Sequence, residues 1–146
     1  MFPQGAVALL CAAALIGCSK APSSMPVPAP PSTLTYPDEY AFGDIVGAAD
    51  QTLQGHVIDQ LQPQFGRPSV MRYTAPADTD FAALKSHYAQ AAAKAGWQPV
   101  ESLGKGLPAG EQAFGFEREG AAFAVAWLAP RGDTPLVPVN VIRFGS

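Results

Sequence analysis

The chain has 146 residues, of which 48% are apolar and only 14% charged, with 15 Pro, 14 Gly and two Cys. That length holds one domain of ordinary size, or a smaller domain with a tail. A net charge of −3 with nine basic residues leaves no electrostatic footprint for nucleic acid, and two Cys make neither a disulfide scaffold nor a four-Cys zinc site.

Residues 6–16 form an unbroken run of eleven apolar residues. A bilayer span takes about 20 residues, so the run is too short to be a transmembrane helix, whereas it fits the apolar core of a secretory signal. It closes in Leu15-Ile16-Gly17-Cys18, followed at once by polar Ser19-Lys20. This arrangement resembles the bacterial lipobox: an aliphatic residue, a spacer, a small residue and a Cys placed where the signal ends. The resemblance implies that signal peptidase II cuts before Cys18, that the thiol carries diacylglycerol, and that the new amino group is acylated. Cys11 is then discarded with the signal and Cys18 is consumed by lipid, which leaves the mature domain without thiol or disulfide, as suits an oxidising envelope. Each buried methylene contributes about 0.8 kcal/mol, and two or three chains anchor firmly where one does so only marginally. Ser19 is not the Asp that, in the resemblance family, retains lipoproteins in the inner membrane, which favours the outer membrane.

The segment 19–37 holds six prolines and few large apolar residues. Such a composition cannot bury enough surface to offset its ordering entropy, and the expectation is a disordered tether in extended polyproline geometry, reaching at most roughly 60 Å. The expected organisation is a signal over 1–17, the lipidated Cys and Pro-rich tether over 18–37, and a single globular domain over 38–146.

Within the domain, Ile45, Ala49, Leu53, Val57 and Leu61 recur every four positions and predict a helix, ended by Pro63 and Gly66-Arg67-Pro68. A short strand is expected over 69–74. Asp78-Thr79-Asp80 offers N-cap candidates for a second helix with the stripe Phe81, Leu84, Tyr88, Ala91 and Ala95. Gly96 stands at the C′ position, from which Trp97 folds back. Strands are predicted over 97–102, 112–119, 121–128 and 136–144, separated by Gly- and Pro-rich turns. The run 121–128 is apolar on both faces and therefore central; Pro138 suggests that the last strand is an edge or bulged.

This order implies an α+β fold, one or two helices on one face of a mostly antiparallel sheet of four to five strands with a β-α-β-β-β core. Over residues 69–146 the pattern resembles that of many small envelope lipoproteins, whose helix often closes in an Ala-Gly-Trp like Ala95-Gly96-Trp97.

His56 and His87 are the only histidines, and neither has a second His, Cys or Glu at ligand spacing; surface or boundary roles are expected. No G-x-S-x-G elbow surrounds Ser69, Ser86 or Ser102. Glu117 and Glu119 share a strand face, as an acid/base pair would, but Glu-Arg-Glu before Gly120 reads more simply as a solvated hairpin end. Gly104-Lys105-Gly106 lacks phosphate-loop spacing, and the adhesion-like tripeptide Arg131-Gly132-Asp133 reads as a turn. Phe123, Val125 and Trp127 share one face of their strand while Ala122, Ala124 and Ala126 share the other. Small alanines admit a close helix, leaving the Phe123-Val125-Trp127 face packed by the other helix or exposed as an interaction surface.

The expectation is a non-enzymatic, outer-membrane-anchored periplasmic lipoprotein serving as an envelope or secretion-system interaction module. Its partners are the bilayer, through acylated Cys18, and an envelope protein; neither metal, cofactor nor nucleic acid is implied. A small-ligand-binding lipoprotein and an envelope hydrolase are the alternatives.

Overall fold

The computed structural model describes residues 26–37, 39 and 42–145; the signal segment, Cys18 and the first part of the tether lie outside the described residues. Along the chain stand α1 (Asp44–Phe65), β1 (Pro68–Pro76), α2 (Phe81–Lys94), β2 (Gln98–Pro99), β3 (Glu111–Arg118), β4 (Ala121–Leu128) and β5 (Leu136–Phe144). The strands form one antiparallel sheet in the order β1-β5-β4-β3-β2. The expected α+β class holds, and β4 occupies the centre, as its two apolar faces require.

The helices do not share a face. Ala122, Ala124 and Ala126 of β4 pack with Leu53, Val57 and Leu61 of α1, while Phe123, Val125 and Trp127 pack with Leu84, Tyr88 and Ala92 of α2. A strand apolar on both sides must be covered on both sides, so the expectation of helices on one face is corrected, and of the two alternatives for the Phe123-Val125-Trp127 face the one packed by the other helix holds.

Both helices depart in detail from their predicted stripes. In α1, Leu53, Val57, Leu61 and Phe65 are buried, whereas Ile45 is 78% exposed. Pro63 does not end the helix: it lies inside the last turn, which continues to Phe65 before Gly66 (φ +85°) caps it by donating to the Gln62 carbonyl at 2.9 Å. Pro63 is exposed and Phe65 is buried, so core contact holds a turn that has lost one hydrogen bond. In α2 the N-cap Asp80 accepts from the Ala82 amide at 2.9 Å. Its buried stripe is Leu84, Tyr88 and Ala92, with Ala95 exposed. The C-terminus is a Schellman motif: Trp97 donates to Ala92 at 2.9 Å, Gly96 to Ala93 at 3.2 Å, and Gly96 takes φ +79°.

Pro138 sits in a strand paired on both sides, not at an edge. It lies opposite Thr74, whose N–H and carbonyl both turn away from β5 to bond Thr35. That makes Pro138 a non-hydrogen-bonded partner on β1, so its nitrogen faces β4, whose ladder begins only at Val139. The missing donor therefore breaks no ladder bond. The predicted 97–102 strand shrinks to Gln98–Pro99, because the chain then turns under the sheet to place Leu103 in the α1-side core.

The largest correction concerns the tether. Residues 26–37 lie on the domain. Val27 packs against the α2-side core and Leu34 is buried in it. His87 Nε2–H donates to the Ala29 carbonyl at 3.0 Å. After a turn closed by Leu34 N–H on the Pro31 carbonyl, Thr35 exchanges two backbone bonds of 2.9 and 2.8 Å with Thr74. Tyr36 meets Tyr73 edge-on. Composition alone misreads this segment: prolines lose little entropy on ordering, and Val27 and Leu34 are sparse anchors that only a waiting groove makes sufficient.

Gly104 marks how tightly the 100–110 loop rides on β3. It takes φ +88°, and a Cβ there would run into the Ala113 carbonyl oxygen, whereas Gly106 (φ +77°) has nothing near it. Gly106→Ala is expected to cost about 1 kcal/mol for the backbone conformation alone, and Gly104→Ala about 2 kcal/mol or more once the clash is added, read by urea denaturation. Equal losses at the two sites would contradict the packing described.

Candidate functional site

The residues singled out from the sequence scatter. Cys18 lies outside the described residues. Phe123 and Val125 are fully buried and Trp127 is 7% exposed; the exposed-surface alternative for these three is corrected, since α2 and the aromatics Phe81, Phe114, Phe116 and Trp97 cover them. Glu117 borders an open depression of about 450 Å³ with Glu119, Arg118 and Gln64. Glu119 stands on the hairpin turn with φ 49°. Arg118 caps α2 by donating to the Ala95 carbonyl and approaches Glu119 at 3.9 Å. The group is open to water, and its cation serves the helix end.

Each histidine has a structural partner. His56 Nδ1–H donates to Glu111 Oε2 at 2.9 Å, the histidine part-exposed and the carboxylate buried. His87 holds the Ala29 carbonyl and sets its ring edge-on to Tyr88. Glu111, fifty-five residues from His56, carries no local sequence signal for this pairing. Among the described residues no group of three or more His, Cys, Asp or Glu is placed to hold a metal ion, and no helix is long and apolar enough to cross a membrane.

Sequence reasoning missed two features. One is a buried polar cluster between α1 and β5: Asp50 accepts from Asn140 Nδ2 at 2.6 Å and from Gln54 Nε2 at 2.9 Å, with Asp50 and Asn140 each 1% exposed. Asn140, flanked by Val139 and Val141 within β5, was the readable signal. The cluster ties the helix to the sheet at a defined register, since a buried carboxylate demands its donors.

The other is the strap-covered face. Residues 26–30 run beside Met71, Tyr73, Tyr88, Val141 and Arg143, bordering a half-open groove of about 360 Å³, within the volume range of small-ligand sites. Tyr88 is fully buried, and its hydroxyl has no hydrogen-bond partner among the described residues. Burial, and secondarily the neighbouring Tyr73, push its phenol well above the ordinary range. What the arrangement offers is a mostly apolar groove with Arg143 at its border, beneath a proline-rich cover, and the Tyr88 hydroxyl buried behind it.

Comparison of the chain with protein-family models, with curated proteins and with solved structures finds no match.

Two consequences are measurable. Asp50→Ala strands two buried amides and is expected to cost about 2–3 kcal/mol, against less than about 1 kcal/mol for His56→Ala at its part-exposed pair, both by denaturant titration. For Tyr88 the folded state holds the proton more tightly than the unfolded state, whose phenol titrates near pH 10. Stability is therefore complete below pH 10 and falls as pH rises beyond it. Tyr88→Phe, which removes an unpaired hydroxyl, should be neutral or stabilising at pH 7 and should flatten that alkaline decline. An unchanged decline would show that another group drives it.

Proposed function

We propose that the chain is a lipoprotein anchored in the outer membrane through acylated Cys18, with its α+β domain in the periplasm as a non-enzymatic envelope or secretion-system interaction module. The observation that carries the reading is Leu15-Ile16-Gly17-Cys18 at the end of an eleven-residue apolar run, with polar residues immediately after. Two or three acyl chains at Cys18 hold the protein to the bilayer by burial of methylenes alone. The docked proline segment supports the reading, because it leaves only residues 19–25 between Cys18 and the domain. The non-enzymatic part is supported by the histidines, which serve a buried carboxylate and the docked segment.

A second reading, a small-ligand-binding lipoprotein, is favoured by one observation: the groove of about 360 Å³ along residues 26–30, lined by Met71, Tyr73, Tyr88, Val141 and Arg143. The ligand chemistry it suits is a small, mostly apolar molecule with a hydrogen-bond acceptor.

The test of the main reading is Cys18→Ala expressed in a Gram-negative cell. The variant should lose its acyl chains and move from the membrane to the soluble periplasmic fraction; unchanged membrane fractionation would refute the anchor.

A further inference from the structure

The path of the docked segment carries a consequence for how the domain sits on its membrane, and it rests on the lipid anchor proposed above. Val27 lies at one end of the sheet, beside Phe65, Gly120, Arg143 and Gly145. By residue 33 the chain has reached the other end, beside Pro76, Asp78 and Asp80. Between these points it is held by the Val27 contact, the His87–Ala29 bond and the buried Leu34, and just beyond them by the paired bonds of Thr35 and Thr74. The strand pairing fixes which loops share each end. The β3–β4 turn at Glu119-Gly120, the α1–β1 turn at Gly66 and the end of β5 at Gly145 lie at the Val27 end; the β4–β5 loop with Arg131, Gly132 and Asp133 lies at the opposite one.

We infer that the Val27 end of the sheet is the face the domain turns to the lipid surface, and that the 129–135 loop is presented away from it. Eight residue steps separate Cys18 from Pro26, which reach at most about 28 Å even fully extended. Nine-residue strands span about 30 Å. A leash no longer than the domain, joined at one end and continued as a docked strap, does not let the domain turn over freely. A leash counted from Cys18 to Pro37, as composition suggests, would reach about twice as far and leave orientation free.

The mature chain has no cysteine but Cys18, so single labels are clean. Acylated full-length mature protein is placed in phosphatidylethanolamine–phosphatidylglycerol vesicles carrying a headgroup acceptor dye, with a donor on Glu119→Cys or on Asp133→Cys. Energy transfer should be at least twofold greater from position 119. Inserting twenty Gly/Ser residues after Ser24, which leaves the domain untouched, should bring the two values together, as should Val27→Asp combined with Leu34→Asp. Equal transfer from the two positions in the parent protein, or greater transfer from 133, overturns the orientation; a difference that survives the twenty-residue insertion overturns the leash as its cause. Intact mass separates these failures from failure of the anchor itself. Acylated protein without the asymmetry sinks only this inference, while a Cys18 free of lipid sinks the anchoring on which it rests.

Discussion

A five-stranded sheet that is apolar on both faces must be covered on both, and this requirement organises the molecule. Five strands at about 4.8 Å spacing span roughly 19 Å between the outer strand axes, whereas a helix with its side chains covers only about 10 Å. One helix per face is not enough. On one face α1 lies over β4 and β5, and the loop bearing Leu103 and Leu107 extends the cover. On the other, α2 lies over the aromatic residues of β3 and β4, and the strip formed by β1 and β5 would be bare without the proline-rich segment. That segment completes the second layer with a piece of chain that needs no helix or strand of its own. Its Thr35 bridge also shields part of the exposed β1 edge.

Much of this was legible. Alternation and turn residues placed β4 and β5 at the bounds observed, the Ala95-Gly96-Trp97 sequence announced the helix stop, and the class followed from element order. What escaped was whatever depends on distant pairing. The two-sided character of β4 was visible, but which helix covers which side is set by packing. Pro138 looked like an edge signal, because the sequence cannot say that the ladder between β4 and β5 stops at Val139, one residue short of it. The strap looked like a tether, because two anchors among many prolines count for little until Tyr88, Val141 and Ala75 stand opposite them. Glu111 and Asp50 were invisible as sites for the same reason, since their partners lie 55 and 90 residues away.

The functional reading inherits this division. The proposed lipid anchor rests on a local signal, four consecutive residues and an apolar run. The interaction surface is a distant one, and the face chosen for it by strand alternation proved to be core. Phe123, Val125 and Trp127 are buried, so on the proposed reading partner recognition would fall to the loops at the end of the sheet opposite Val27 and to the groove that the strap lines. If the proposed anchor holds, the docked strap over residues 26–37 would make the domain's orientation, as much as its chemistry, decide what it meets.

The most direct measurement of the central claim is residue-resolved amide hydrogen exchange on the mature protein at neutral pH. If the strap is part of the fold, the Thr35 amide, bonded to the Thr74 carbonyl, exchanges at least tenfold more slowly than in a free peptide. If Thr35 exchanges at the free-peptide rate while the amides of β4 and β5 stay protected, the segment is a loose tether and the sheet's second layer is not what holds it.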